Sequence, residues 1–220
     1  MFYPRRIRQR EMLGFYASRL ETVEINNTFY RMPLDGVVSS WAEAVPSGFR
    51  FSVKAHRRFT HQRRLRFQPA QLELFAVALE GLGGRLGPVL FQVPPTTEYT
   101  DGWLEQMLAR LPRHWKVAFQ FRHASWHTEK VYALLEEAGA AICHADGEEE
   151  PGPVGRGGFD YIRLRRDRYS PRALRAWAQR LLHRAATGRD AYVYVKHEEL
   201  GPAYALWLRD ACRIAPEAAL

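Results

Sequence analysis

Glu24 and Asn26, Ser52 and Lys54, Gln92, Gln120 and Arg122, His144 and Asp146, Arg163 and Arg165, and Lys196 share one pattern. Each sits near the end of a short run of β-forming residues, and within a run the polar side chains fall on alternate positions. Glu24 offers a carboxylate that could serve as a general base or metal ligand, or else form an ion pair with Lys54 or an arginine. Lys54 offers an amine which, once buried, can act as a nucleophile, a proton carrier or a phosphate clamp; its structural alternative is a salt bridge. Arg122 beside His123 joins a guanidinium fork to an imidazole, a combination suited to phosphate or carboxylate recognition. Asp146 is the second inward carboxylate, and with Glu24 and a histidine it could hold a divalent cation. Several cations compete for those carboxylates, so no metal site is assigned. The candidate catalytic set is Glu24, Lys54 and Asp146. The candidate ligand-binding set is Asn26, Gln92, Gln120, Arg122, His123, Arg163 and Lys196.

The densest basic stretch, residues 56–66, follows Lys54 directly and interleaves Phe59 with arginines. Arg57, Arg58, Arg63 and Arg64 could contact a phosphate backbone, and a solvated loop is the plain alternative. A second basic run, Arg163–Arg168, leaves the same rim. His123 and His127 stand four apart, but the segment spans a strand end and a helix start, so a shared metal does not follow from the spacing. Trp126 could offer a stacking face; packing in the core is the favoured reading. Cys143 falls on the apolar face of its run and is set aside as a nucleophile.

Alternation with a period of two marks strands whose successive side chains face opposite ways. It puts Val23/Ile25, Phe51/Val53, Val117/Phe119/Phe121, Ile162/Leu164 and Val193/Val195 on one apolar face and the polar residues on the other. Seven strands are expected, at 22–27, 49–54, 88–93, 115–121, 140–146, 159–165 and 191–196. Helical patterns separate most of them: 9–20, a short one near 37–44, 70–82, one capped by Asp101, one capped by Thr128, one opened by Ser170-Pro171, and a last one from Pro202. Residues 147–158 carry glycine, proline and glutamate with no helical pattern. Strands alternating with helices imply a parallel sheet joined by right-handed crossovers. With helices on the apolar face, the polar residues point into a barrel and gather at the C-terminal strand ends, where such barrels keep their active sites. The expected fold is α/β, a TIM-type barrel of seven parallel strands, in one domain over residues 1–220.

A chain of 220 residues has room for one sizeable core. Its net charge of +8 favours anionic partners such as nucleic acid or phosphate esters. The 32 basic residues are 28 Arg and 4 Lys, a bias that could reflect genome composition; their excess over 24 acidic residues is not explained that way. No apolar run approaches the roughly 20 residues of a membrane span, and Met-Phe-Tyr-Pro-Arg-Arg lacks the apolar stretch of a signal peptide. Cys143 and Cys212 read as free thiols, and the cytoplasm is the expected location.

Val-Glu-Ile-Asn-Asn-Thr-Phe-Tyr at 23–30, Phe-Ser-Val-Lys-Ala at 51–55 with Thr60-His61, and Leu-Phe-Gln-Val-Pro-Pro at 90–95 begin an ordered series. Phe-Arg-His-Ala-Ser-Trp at 121–126, Asp146, Tyr161-Ile-Arg163 and Tyr-Val-Tyr at 192–194 continue it. Together they resemble the YecE-like family, domain of unknown function 72, from about residue 2 almost to the end. The resemblance implies a TIM-type barrel related to the xylose-isomerase and apurinic-endonuclease group, and it supplies no reaction. Nucleic-acid binding has been suggested for relatives from shape alone. The chain also departs from the family pattern. A strand resembling Gly-Thr-Ser-Gly-Trp usually precedes Phe-Tyr-Pro, here at 2–4, and is absent, in line with seven strands. The family's Glu before Phe-Arg-His is Gln120 here, its Arg-x-His-Gly reads Arg163-Leu-Arg165-Arg166, and its last-strand Asn pair reads Lys196-His197. The substitution at Gln120 removes a carboxylate that family chemistry would use.

The leading expectation is a phosphorylated or polyanionic ligand, nucleic acid included, at the C-terminal strand mouth. Arg122, Arg163 and Lys196 would hold the anion while Lys54, Glu24 or Asp146 handles protons, as in a phosphoester hydrolase. Two other readings stand beside it. One is a non-catalytic barrel binding nucleic acid through its basic loops. The other is a sugar-type isomerase or hydrolase, which the shortage of paired carboxylates disfavours. The residues leave enzyme and binding protein both open, name no cofactor or oligomeric state, and suggest no membrane partner.

Overall fold

The structure is a computed structural model that describes residues 2–34, 36–62, 65 and 67–214. Seven parallel strands form a nearly closed α/β barrel of the TIM type. In chain and spatial order they are β1 (Thr22–Ile25), β2 (Arg50–Lys54), β3 (Leu86–Val93), β4 (Val117–Phe121), β5 (Ala141–Ala145), β6 (Asp160–Leu164) and β7 (Ala191–Val195). Seven α-helices surround them among the described residues: α1 (Gln9–Ala17), α2 (Val37–Glu43), α3 (Pro69–Glu80), α4 (Trp103–Arg110), α5 (Glu129–Glu137), α6 (Pro171–Ala186) and α7 (Gly201–Ile214). None of the described helices is long and apolar enough to cross a membrane.

Local chemistry starts the helices largely where the side chains predict. Thr128 accepts the Val131 N–H at 3.3 Å and Ser170 accepts the Ala173 N–H at 3.2 Å, with Pro171 opening α6 where its missing N–H costs nothing. The start of α4 differs from expectation. Gly102 precedes its first residue in the left-handed region, while the Asp101 carboxylate turns to Lys130 and the Tyr99 hydroxyl instead of capping.

Two layers of packing define the inside. The outward side chains of the strands meet the helices: Phe51, Val53, Phe91, Phe119 and Phe121 form one cluster with α2–α5, and Ile162 and Leu164 form a second with Leu174, Trp177 and Leu181 of α6. Trp126 is wholly buried and stacks on Phe121 at 4.5 Å, so it packs in the core as expected. The inward side chains build a lumen whose floor is apolar (Leu90, Ala118, Cys143, Phe159) and whose upper part is polar.

Between β5 and β6 no helix forms. The segment 147–158 instead runs back along β5, pairing Ala145 N–H with the Pro151 carbonyl and bridging Gly157 to Ala141 in antiparallel sense. Gly157 has φ +85° and lies so close to β5 that a Cβ would overlap the Ala140 carbonyl, so only glycine fits there.

Strands β1 and β7 end the sheet and do not pair with each other. Four of the five β7 residues are only half-buried and Ala191 is exposed, in contrast to the fully buried β4 and β6. The barrel therefore has a seam, spanned on its lumen side by the Tyr194 hydroxyl and Thr22 Oγ1 at 2.9 Å.

Candidate functional site at the barrel mouth

Alternation delivers the polar side chains of β1–β4, β6 and β7 to the lumen. Glu24 lies at its centre. Its carboxylate accepts hydrogen bonds from Arg163 at 2.6 Å, the Tyr161 hydroxyl at 2.7 Å and the Asn26 amide at 2.9 Å. Burial alone would raise its pKa, but the Arg163 guanidinium and these donors overcome that and hold it below the usual carboxylate value. The Glu24–Arg163 pair is almost wholly enclosed, at 7% and 2% side-chain exposure. Arg163 pays back its own burial through the same contact, which keeps its pKa raised.

From Arg163 a chain of bonds crosses the lumen. Arg163 donates to Gln120 Oε1 at 2.7 Å, Gln92 donates to the same oxygen at 2.9 Å, and Lys54 Nζ donates to Gln92 Oε1 at 2.6 Å. Ser52 Oγ and the Tyr161 hydroxyl are 2.7 Å apart beneath. Lys54 is 8% exposed, lies 3.8 Å from the Phe29 ring centroid, and has no carboxylate partner among the described residues. Burial first, then the positive field of Arg163, lowers its pKa to about 8, with Arg165 and Arg122 adding to the shift and Glu24 only partly opposing it.

At the rim Arg165 is half-buried, its Nε enclosed without a hydrogen-bond partner, and burial with Arg163 lowers its pKa. Arg122 is held by Glu148 through Nε at 2.7 Å and a second nitrogen at 2.6 Å. Glu148 also accepts from Gln120 at 3.5 Å, so a loop residue returns a carboxylate beside the position where the sequence has an amide. His61 has its pKa lowered by burial and by Lys54, Arg57 and Arg122.

The parity of β5 is the reverse of the expected one. Cys143 points into the lumen with Ala141 and Ala145, whereas Ile142 and His144 point outward, His144 against Trp177. The reason is space: Tyr161, Arg163 and Tyr194 fill the lumen at this side, leaving room only for small neighbours. Burial raises the Cys143 thiol to about 12, which keeps it protonated. Asp146 accordingly stands away from Glu24. Its carboxylate takes the Tyr169 hydroxyl at 2.7 and 2.8 Å and the Arg165 N–H at 2.8 Å, with Arg166 beside it.

Thus Glu24, Asn26, Lys54, Gln92, Gln120 and Arg163 come together, Arg122 joins them through Glu148, and Asp146 does not. His123 Nδ1 bonds the Ser125 side chain at 2.8 Å and caps its backbone, while His127 bonds Tyr132 and the Phe121 carbonyl, so the two rings have separate tasks. Lys196 is exposed at the seam end of the rim. Arg57 and Arg58 are exposed on a single turn anchored by buried Phe59; Arg63 and Arg64 lie outside the described residues. Among the described residues no three His, Cys, Asp or Glu side chains converge as a metal site would require. Sequence reasoning missed Tyr161 and Glu148. A tyrosine in an alternating run gives no polar signal, and a glutamate in an irregular loop has no periodicity to place it.

Fold and site together define a parallel β/α barrel with a polar lumen and a basic rim. The family described as Protein of unknown function DUF72 matches residues 1–219, and the chain belongs to that family. It is similar in fold to a DUF72 family protein from Enterococcus faecalis V583, with TM-score 0.80 and 18% identity over 92% of this chain and 94% of that one. It is similar likewise to one from Thermotoga maritima MSB8, with TM-score 0.79 and 20% identity over 96% and 92%. No curated protein matches the chain.

Proposed function

We propose that the C-terminal mouth of the barrel binds a phosphorylated or otherwise polyanionic small molecule. Lys54 and Arg165 hold the anion, and Arg122 joins them when Glu148 releases it. The observation that carries this reading is the state of Lys54. An ammonium removed from water without a carboxylate partner is costly, and an anion arriving beside it supplies the missing charge. Glu24 and Asp146 fit other tasks, because their oxygens are already engaged: Glu24 fixes Arg163, and Asp146 orders the Arg165–Tyr169 rim. Lys54, with its pKa near 8, is then the group suited to exchanging a proton with a bound ester.

The test is calorimetric titration with inorganic pyrophosphate at low ionic strength. Lys54→Met and Arg165→Ala should each weaken binding by about 1.5–3 kcal/mol, the worth of a charge-assisted bond. Arg122→Ala should cost less, since Glu148 competes for that guanidinium. Wild-type protein that gives no binding heat would end the reading. Nucleic acid is the second candidate, favoured by the exposed Arg57 and Arg58 beside the mouth.

A further inference from the structure

The chain has four lysines, and the surroundings of Lys54 differ from those of the other three. Lys116 pairs with Asp190 and Lys130 with Asp101, while Lys196 is exposed. Lys54 ends β2 inside the barrel and meets no carboxylate among the described residues, because Glu24 is taken by Arg163, Tyr161 and Asn26. Of the three polar directions at its nitrogen, one leads to Gln92 Oε1 at 2.6 Å and one to the face of Phe29, 3.8 Å from the ring centroid. No protein group among the described residues accepts from the third. Both neighbours are neutral. An amide dipole and a ring quadrupole hold the nitrogen in place without locking it in its charged form, as a carboxylate would. An arginine here would bind an anion equally well and never release its proton. What lysine adds is a nucleophile.

We propose that Lys54 forms an imine with the carbonyl group of a phosphorylated aldehyde or ketone, whose phosphate sits on Arg165 and Arg122. This deepens the anion reading and rests on it for the seat of the phosphate. The carbonyl follows from what surrounds the amine. Acyl or phosphoryl transfer would need a free acid or base to assist the leaving group, and Glu24, Asp146 and Glu148 all have their oxygens engaged by donors. Imine formation needs only water to carry protons. The Lys54 ammonium gives a proton to solvent at the mouth, and the amine lone pair forms the C–N bond as the carbonyl π pair moves to oxygen. The carbinolamine oxygen is then protonated and leaves as water. In sum an ammonium and a carbonyl become an iminium and a water: two of the three ammonium protons depart with the oxygen, the charge is unchanged and nothing is oxidised. The remaining N–H keeps Gln92 Oε1, the cation keeps the Phe29 face, and the new bond takes the third direction. Burial first, then Arg163, brings the Lys54 pKa to about 8, so both forms are populated near neutrality. The ammonium draws in the anion and the amine attacks.

The test uses the wild-type full chain, glycolaldehyde phosphate as the probe and borohydride to reduce the imine to a stable secondary amine. Peptide mapping by mass spectrometry then reads the adduct at Lys54, Lys116, Lys130 and Lys196 separately, so no variant has to fold. At neutral pH Lys54 should be trapped at least about tenfold faster than each of the others. Its rate should saturate with probe concentration and fall when pyrophosphate is added. With pH the rate should rise to half its maximum near pH 8, against 10.5 for an ordinary lysine. The groups whose fields reach Lys54 do not titrate in that window: Arg163, Arg165 and Arg122 stay charged, Glu24 is already ionised, and His61, lowered to about 4, is already neutral. Trapping at Lys54 no faster than at Lys130 or Lys196, in protein that binds pyrophosphate, would overturn the imine and leave the anion reading standing. Glycolaldehyde without its phosphate trapping Lys54 equally fast, with no protection by pyrophosphate, would overturn the phosphate as part of the substrate, and the anion reading with it, while Lys54 remained the nucleophile.

Discussion

Lys54 couples stability to binding in opposite directions. Its pKa of about 8 in the folded chain lies below its ordinary 10.5. The folded state therefore holds fewer protons than the unfolded state between those values, so this residue's contribution to stability rises with pH across that window. Replacing it by methionine removes the buried ammonium but strands Gln92 Oε1; the relief exceeds one lost hydrogen bond, for a net gain of about 1 kcal/mol below pH 8. Thermal melts of Lys54→Met against wild type should show that gain at neutral pH and its fading toward pH 10.5. Anion affinity runs the other way. A bound anion favours the ammonium, so the affinity for sulfate, which does not titrate in this range, should be full below pH 8 and fall as pH rises above it. A flat pH profile would detach Lys54 from the site. Glu24 and Arg163 behave differently, because each satisfies the other. Arg163→Met leaves the Glu24 carboxylate buried and unpaired and should cost about 3–5 kcal/mol in chemical denaturation, and adding Glu24→Gln should recover part of the loss.

At the scale of elements, the strands place these residues and the β5–β6 segment seals one side of the barrel. Asp160 pins the start of β6 by accepting from Arg184 at 2.9 Å and from Arg189 at 3.3 Å. Gly157 presses the returning segment onto β5, where positive φ and close approach both exclude a side chain. Gly157→Ala should therefore destabilise the protein by about 2–4 kcal/mol. Gly188→Ala, at φ +71° but with open space around its Cβ, should cost only about 1–2 kcal/mol. Equal losses in parallel melts would show that backbone strain alone governs both positions.

At the scale of the molecule, the net charge of +8 is dispersed between the lumen, the rim and outer ion pairs such as Arg156 with Glu129 and Glu136. Binding of nucleic acid by the basic turn would release counterions and fall steeply with salt. Replacing Arg57, Arg58, Arg63 and Arg64 together by Gln should flatten the salt dependence measured with a labelled single strand, and Lys54→Met should leave that slope nearly unchanged. Absence of wild-type binding even at low salt would leave the small anionic ligand as the better reading.

Period-two alternation determined most of this protein from sequence alone. In β1 and β2 the apolar and polar residues occupy opposite parities, and β4, β6 and β7 keep the same alternation apart from Ala118 and Asp160, so strand existence, the inward set and the parallel barrel follow from local chemistry. In β5 the apolar Ile142 shares its parity with His144 and Asp146 while Ala141, Cys143 and Ala145 are small, so the pattern is ambivalent, and the bulk of Tyr161 and Arg163 on the neighbouring β6 and of Tyr194 on β7 decides which face Cys143 and Asp146 take. Charge partners are likewise a tertiary matter. Glu24 meets Arg163 from 139 residues away, a pairing that depends on which strands become neighbours across the lumen. Glu148 reaches Arg122 because its loop folds back over β5. Lys54 is left without a carboxylate for the same reason: the nearest inward acid is already committed, and no local pattern in the chain records that.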